Sequence, residues 1–241
     1  MPVLVVLPTY NEIDNIEAML RALRAVAPDA SILVVDDGSP DGTADAAEIV
    51  NKELGSIFIL RREAKNGLGA AYRAGFSWGL ENEFDRFVEI DCDFSHDPLS
   101  LPSLLEKSLT YEVVIGSRYV KGGSIPSWSI GRKLLSRGGN VYASMMLGLA
   151  VKDSTAGYRV YQKTALEKID FTHVGADGYG FQIEMTYRAR KAGASIVEVP
   201  ISFVDREQGQ SKMSQAIVIE ALWLVTKWGL SRPFGGPFFL K

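Results

Sequence analysis

An open, mostly parallel, doubly wound α/β sheet flanked by helices is the fold that this 241-residue sequence predicts. Three observations lead there. Short apolar runs rich in Val, Ile and Leu alternate with stretches of helical period, and the connections between them are short. The first run, Val3-Leu4-Val5-Val6-Leu7, is continuous rather than alternating, the pattern of a strand buried on both faces of a parallel sheet. Acids and glycines then cluster just after such runs, and open α/β sheets bind ligands beyond the carboxyl ends of their strands.

The elements follow in order. Pro8-Thr9-Tyr10-Asn11-Glu12 closes the first strand, and Ile16, Met19, Leu20 and Leu23 at helical spacing predict a helix to about residue 26. A second strand, Ile32-Leu33-Val34-Val35, ends in Asp36-Asp37-Gly38-Ser39-Pro40-Asp41-Gly42-Thr43. A helix over 44–54 and a third strand, Ile57-Phe58-Ile59-Leu60, come next. Asn66-Gly67-Leu68-Gly69-Ala70-Ala71 opens a helix carrying Tyr72, Phe76 and Leu80. Its two glycines resemble a phosphate-cradling loop without completing either standard nucleotide fingerprint, so direct phosphate contact and simple close backbone approach both remain open. Phe87, Val88 and Ile90 form a short buried strand that runs into Asp91-Cys92-Asp93-Phe94-Ser95-His96-Asp97-Pro98. Pro98 suits the first turn of a helix expected over 99–109, and Val113-Val114-Ile115 is a further strand leaving through Gly116-Ser117-Arg118-Tyr119.

Beyond Val120 the texture changes. Residues 121–128 have no period and read as a mobile loop, with Trp128 suited to a headgroup boundary. A helix over 131–147 sets Arg132, Lys133 and Arg137 beside Leu134, Leu135, Val141, Met145 and Met146. That is either a plain amphipathic helix with a solvated basic face or a surface that meets an anionic lipid. Asp153-Ser154-Thr155-Ala156-Gly157-Tyr158-Arg159 precedes a short strand, Gly178-Tyr179-Gly180-Phe181-Gln182-Ile183-Glu184 leads into a helix ending near residue 193, and 196–203 is the last strand. Asp205-Arg206-Glu207-Gln208-Gly209-Gln210-Ser211-Lys212 is a polar loop with two cations. A C-terminal amphipathic helical segment with Trp223 and Trp228 closes the domain, set at 1–230, and 231–241 is a tail with Phe234, Phe238 and Phe239.

Composition narrows the classes of function. A formal charge of −3 gives no reason to expect nucleic acid as a partner. The single cysteine, Cys92, cannot form an internal disulfide and fits a reducing compartment, with burial behind the acids its expected state. The amino terminus enters a strand at once, so no signal peptide is expected. The most apolar late stretch, 216–225, contains Glu220 and falls short of the ~20 apolar residues that a spanning helix needs. The expected location is cytoplasmic, peripheral on the cytoplasmic face of a membrane.

Asp91 and Asp93, spaced i, i+2 at a strand end, can reach one hard cation, and Mg²⁺ or Mn²⁺ bridges carboxylates to substrate phosphates. Taken alone, an Asp-x-Asp pair is as often an ordinary pair of loop acids. Its company decides. Pro8 to Glu12, Asp36-Asp37-Gly38-Ser39 and Asp91-Cys92-Asp93 together resemble the inverting family 2 glycosyltransferases of the GT-A fold. Asp91-Cys92-Asp93-Phe94-Ser95-His96, Gly116-Ser117-Arg118-Tyr119, Ser154 to Arg159, Gly178 to Glu184 and Asp205 to Lys212 narrow the resemblance to the polyprenol- or dolichol-phosphate mannose synthases, over nearly the whole chain. Some relatives continue into carboxyl-terminal transmembrane helices where this chain stops, and others carry the anchor on a separate subunit.

The resemblance implies transfer of mannose from GDP-mannose to a polyprenyl (dolichyl) monophosphate, with UDP-glucose or another nucleotide sugar as the alternative donor. Pro8, Tyr10, Glu12 and Asp37 would line the base and ribose pocket. Asp91 and Asp93 would hold the divalent ion beside the leaving diphosphate, and Arg206 and Lys212 would close over it. Some relatives carry Gln where this chain has Ser95, a weaker ligand, so metal ligation is not extended to Ser95. A lipid phosphate attacks without a strong general base, so neither His96 nor His173 is required, and Arg118 and Arg132 are the candidates to hold the acceptor phosphate in line. The implied partners are therefore GDP-mannose, a polyprenyl phosphate, a membrane surface and, as one arrangement, a membrane-anchor subunit. Two readings from other classes are weaker. An aspartate-based phosphatase would place its acid pair after the first strand, and a non-catalytic nucleotide-binding partner would not need the intact acids or the Arg206–Lys212 loop.

Overall fold

A computed structural model of the chain describes residues 1–205 and 215–231, with the backbone alone for 215–218. Strands β1 (Val3–Thr9), β2 (Ser31–Asp36) and β3 (Ile57–Arg61) alternate with helices α1 (Ile13–Val26), α2 (Thr43–Leu54) and α3 (Leu68–Glu81). There follow β4 (Arg86–Glu89), α4 (Leu101–Lys107), β5 (Val113–Ser117), α5 (Ile130–Leu147), β6 (Arg159–Gln162), α6 (Lys163–Ile169), α7 (Gly178–Lys191), β7 (Ile196–Pro200) and α8 (Gln215–Leu230). The strands form one sheet in the order β3-β2-β1-β4-β6-β5-β7. Strand β6 runs antiparallel to β4 and β5, while the other neighbours are parallel. The doubly wound, mostly parallel sheet is thus present, with one reversed strand that local patterning does not reveal.

Strand β1 shows why its run is continuously apolar. Val3, Val5 and Leu7 pack on one face with Ile16, Met19, Leu20 and Leu23 of α1 and Val50 of α2. Leu4 and Val6 point the opposite way, toward Phe76 of α3 and Phe181 of α7. Side chains alternate along a strand, so a strand covered by helices on both sides must be apolar at every position. Helix α3 lies so close to the sheet that a Cβ on Gly79 would meet Phe87 Cε1 at 2.5 Å and Leu4 Cδ2 at 2.6 Å. Glycine here is a packing requirement.

Several expectations change in detail. Pro98 opens a 3₁₀ turn, Pro98–Ser100, capped by the Asp97 side chain on the Leu99 N–H at 2.9 Å, before the shorter α4 begins. Helix α6 was not expected; it is only seven residues long and has too few turns to register as a period. The last strand ends at Pro200, and residues beyond it make isolated bridges, Ser202 to Ser124 and Phe203 to His96. Those bridges pin 121–128, which was expected to be mobile. Trp128 is 6% exposed and its indole N–H donates to Asp205 Oδ1 at 2.9 Å, so it faces inward and is no headgroup anchor. Trp228 packs on the Tyr187 ring at 6.3 Å, while Trp223 stays exposed; Phe234, Phe238 and Phe239 lie outside the described residues. No helix among the described residues is long and apolar enough to cross a membrane.

The glycines of two helices should respond to alanine with opposite signs. Gly79→Ala overpacks α3 against β1 and β4 and should cost about 1–3 kcal/mol. Gly138 of α5 has no neighbouring atom within 4 Å of a built Cβ. Gly138→Ala should therefore add about 0.5–1 kcal/mol through helix propensity alone. Denaturant unfolding of both variants checks the pair; equal effects would contradict this account of α3 packing.

Candidate active site

At the carboxyl ends of β1, β2 and β4 lies a cavity of about 570 Å³. Strand β1 has β2 on one side and β4 on the other, so the cavity sits at the topological switch point of the sheet. Pro8, Tyr10, Glu12, Asp37, Asp91, Asp93, Arg118 and Arg132 all line it. Arg206 and Lys212, expected to close over a diphosphate, lie outside the described residues.

One end of the cavity is built on two adjacent acids with different fates. Asp36 is consumed internally, accepting from Thr9 Oγ1 at 3.0 Å, Ser39 N at 2.9 Å and Ser39 Oγ at 2.6 Å, which ties the ends of β1 and β2 together. Asp37 turns into the cavity and pairs with Arg62. Burial pushes its carboxyl up, and the Arg62 guanidinium offsets part of that rise. Glu12 donates its backbone N–H to Thr43 Oγ1 at 3.0 Å and accepts from Asn15 Nδ2 at 3.0 Å, so it is braced from α1 and α2. Lys65 Nζ stands 4.4 Å from the centre of the Tyr10 ring. Sequence reasoning missed Arg62 and Lys65, because the loop after β3 carries no motif and becomes informative only when folded over Asp37 and Tyr10.

The acid pair follows β4. Asp91 is one-third exposed into the cavity and accepts from the Tyr72 hydroxyl at 3.3 Å. Asp93 is buried, with Oδ1 accepting from Ser95 N at 3.0 Å, and Cys92 lies buried between them, as expected. Behind them Glu89 is fully buried and accepts from Gln182 Nε2 at 2.9 Å. Desolvation pushes its carboxyl from 4.5 up to about 8, against the nearby Arg159 charge. His96 is likewise enclosed, Nδ1 3.9 Å from Asp91 Oδ2, and burial takes its imidazole down to about 4. No group of three or more His, Cys, Asp or Glu among the described residues forms a ready-made metal cage. Two carboxylates at one cavity wall, Asp91 and Asp93, are of the chemistry that would hold a hard divalent cation such as Mg²⁺ or Mn²⁺.

The cationic side departs from expectation. Arg118 is buried and gives Nε and one terminal nitrogen to Asp153 at 2.7 and 2.6 Å, while the Arg118 backbone N–H adds a third bond to Asp153 at 2.9 Å. Burial alone would raise the Asp153 carboxyl, and the guanidinium outweighs it, holding Asp153 below the usual range. Arg118 therefore lines the cavity wall while sharing its charge with Asp153. Arg132 remains half-exposed; it lies 3.9 Å over the Trp128 ring and 3.2 Å from Asp205 Oδ1. The paired glycines of α3 also have another occupant: a Cβ on Gly67 would come 2.6 Å from Asp177 Oδ2, and one on Gly69 2.9 Å from Asp177 Oδ1. The space that a phosphate-cradling loop would offer is filled by the Asp177 carboxylate. Asp177, Tyr179 and Gln182 also line the cavity; the Gly178 to Glu184 motif signalled the last two without their roles, and Asp177, just before it, was missed.

Residues 4–170 match the family model described as Glycosyl transferase family 2. The chain is 50% identical over 236 residues to the undecaprenyl-phosphate mannosyltransferase of Micrococcus luteus, covering 98% of this chain and 97% of that protein. It is 46% identical over 229 residues to the polyprenol monophosphomannose synthase of Mycolicibacterium smegmatis, covering 94% and 86% respectively. Among solved structures, the mannosyltransferase PcManGT from Pyrobaculum calidifontis, in complex with GDP-Man and Mn²⁺, superposes with a TM-score of 0.57 at 15% identity over 95% of this chain and 71% of that one. Staphylococcus aureus TarS 1–349 with UDP gives 0.60 at 16% identity over 93% and 64%. Both structural likenesses establish the fold, a GT-A-like sheet, and nothing finer.

The two shifted groups behind the acid pair pull stability in opposite directions with pH. Glu89 has a raised carboxyl, so its contribution is full below about 4.5 and is lost as pH rises through about 8. His96 has a depressed imidazole, so its contribution is full above 6.5 and is lost as pH falls through about 4. Glu89→Gln keeps the shape without the titration. In chelator, thermal melts of Glu89→Gln should lose less stability than wild type between pH 6 and 9; parallel curves would place the alkaline loss elsewhere.

Proposed function

The chain belongs to glycosyl transferase family 2, and from that premise we propose that it transfers mannose from GDP-mannose to a polyprenyl monophosphate with inversion, yielding polyprenyl-phosphate β-mannose and GDP. The observation that carries the reading is one cavity in which the Asp37 end, the acid pair and the cation Arg132 are brought together. Pro8, Tyr10, Glu12 and Asp37 take the base and ribose, with Arg62 holding the Asp37 carboxylate in place. Asp91 and Asp93 hold Mg²⁺ or Mn²⁺, which when bound neutralises charge on the leaving diphosphate. Arg206 and Lys212, which follow Asp205 in the sequence, supply further positive charge to that group.

The acceptor requires no proton removal. A phosphate monoester has a second pKa near 6, so its oxygen already carries the electron pair that forms the new bond to the anomeric carbon. The bond between that carbon and the diphosphate oxygen breaks as the pair leaves on GDP. What the protein must provide is alignment, and Arg132 at the mouth is the cation placed to provide it.

A lipid acceptor implies a surface. Helix α5 exposes Ile130, Leu134, Leu135, Val141 and Met145, and α8 exposes Ile219, Trp223 and Leu230 beside it. Arg132, Lys133 and Arg137 stand on the same helix α5. Apolar area flanked by cations is the composition of an interfacial element on an anionic bilayer. The protein thus works on the cytoplasmic face of a membrane without spanning it, alone or beside an anchor subunit.

Two outcomes are expected. With labelled GDP-mannose and polyprenyl phosphate, transfer should need Mg²⁺ or Mn²⁺, stop in excess chelator, and fall by about 100-fold or more in Asp93→Ala; UDP-glucose should not replace the donor. Transfer in chelator, or preference for UDP-glucose, would overturn the assignment. In co-sedimentation, the protein should bind anionic vesicles at low salt, and release with added salt and with Lys133→Ala/Arg137→Ala. No binding at low salt would mean that a separate anchor brings enzyme and lipid together.

A further inference from the structure

Among the described residues, no cation pairs with the Asp177 carboxylate. Asp177 is the residue before α7, and its side chain makes no capping hydrogen bond there. No hydrogen bond or ion pair engages it among the described residues. It faces the cavity, exposed, and its two oxygens lie against the first turn of α3, where Gly67 and Gly69 leave the room it occupies. Any side chain at either glycine would collide with it. The amino end of a helix favours negative charge, so α3 both seats the carboxylate and compensates it. The same stretch of helix reaches Asp91, through the Tyr72 hydroxyl at 3.3 Å. Asp177 and Asp91 therefore both lie against helix α3.

Gly157 lines the same cavity. A Cβ built there would sit 3.7 Å from Asp91 Oδ2, 3.8 Å from His96 Cε1 and 4.0 Å from Gln182 Nε2, all ordinary contacts. The protein itself would tolerate a methyl group at Gly157. The missing side chain instead leaves cavity open beside Asp91, on the side away from the Asp37 end.

A carboxylate that only accepts hydrogen bonds repels the diphosphate and the acceptor phosphate alike. Its chemical complement is a neutral group rich in hydroxyl donors. We infer that Asp177 reads the hydroxyls of the transferred hexose, which lies over Gly157 between Asp177 and Asp91. This rests on the cavity being a nucleotide-sugar site, and it makes Asp177 and Gly157 determinants of sugar specificity with no part in holding the nucleotide.

Calorimetric titration of GDP and of GDP-mannose, each with Mg²⁺, separates the two roles. Asp177→Ala should bind GDP within about twofold of wild type and GDP-mannose about tenfold or more weaker, the loss that one hydrogen bond to a charged group represents. Asp177→Asn, which keeps the shape between Gly67 and Gly69, should show a smaller loss of the same selectivity. Gly157→Ala should melt like wild type, keep GDP and lose GDP-mannose. With transfer as the readout, kcat/KM for GDP-mannose over GDP-glucose should fall in Asp177→Ala. Equal weakening of GDP and GDP-mannose would make Asp177 structural and overturn the inference, as would unchanged GDP-mannose affinity in both Asp177→Ala and Gly157→Ala. A wild-type protein that binds neither ligand would overturn the donor reading itself, and the inference with it.

Discussion

A guanidinium with no access to water must be met by acceptors from its own chain, and Arg159 imposes that requirement on half of this structure. It is fully buried and donates to the carbonyls of Ala156 and Ser154, each at 2.7 Å, to Thr186 Oγ1 at 2.8 Å and to the Tyr161 hydroxyl at 3.3 Å. Those partners belong to the turn before β6, to β6 itself and to α7. One cation thereby fixes the stretch from Asp153 to Gly157 against the sheet, and with it the partner of Arg118 and the open floor beside Asp91. Glu89, opposite Arg159 in the β4–β6 pairing, is the acid that this charge faces. Asn140 adds a second tie, taking Ser154 N at 2.7 Å and giving its amide to Thr155 Oγ1 at 3.1 Å, so α5 is held to the same turn.

What could be read from the sequence, and what could not, divides by range. The strands and the acids at their ends were legible because the relevant signals are local: apolar runs of strand length, and carboxylates one or two residues beyond them. Pro8, Tyr10, Glu12, Asp37, Asp91 and Asp93 all fell into one cavity for that reason. The partner of Arg118 was missed because Asp153, 35 residues on, is brought beside it by the one reversed strand. The glycines of α3 suggested a phosphate because Asp177 is distant in sequence, and Trp128 suggested a bilayer because Asp205 is. Each error is a pairing across the fold, where a side chain's availability is decided by a residue that no window contains.

The cavity also sorts its charges. Toward the β2 end, acids carry basic or hydroxyl partners, as with Asp37 and Arg62 or Asp36 and Thr9. Around the acid pair, enclosure favours neutral forms instead: burial raises the Glu89 carboxyl and lowers the His96 imidazole.

The Asp205 carboxylate, which joins Trp128 and Arg132, also stands at the start of the segment carrying Arg206 and Lys212. An acceptor phosphate that engages Arg132 must compete with Asp205 for it. A donor that also drew on the Asp205–Arg132 pair would then be coupled to the acceptor. Linkage makes such an effect reciprocal, so the affinity for lipid would depend on whether nucleotide sugar is bound, and by the same factor in the other direction.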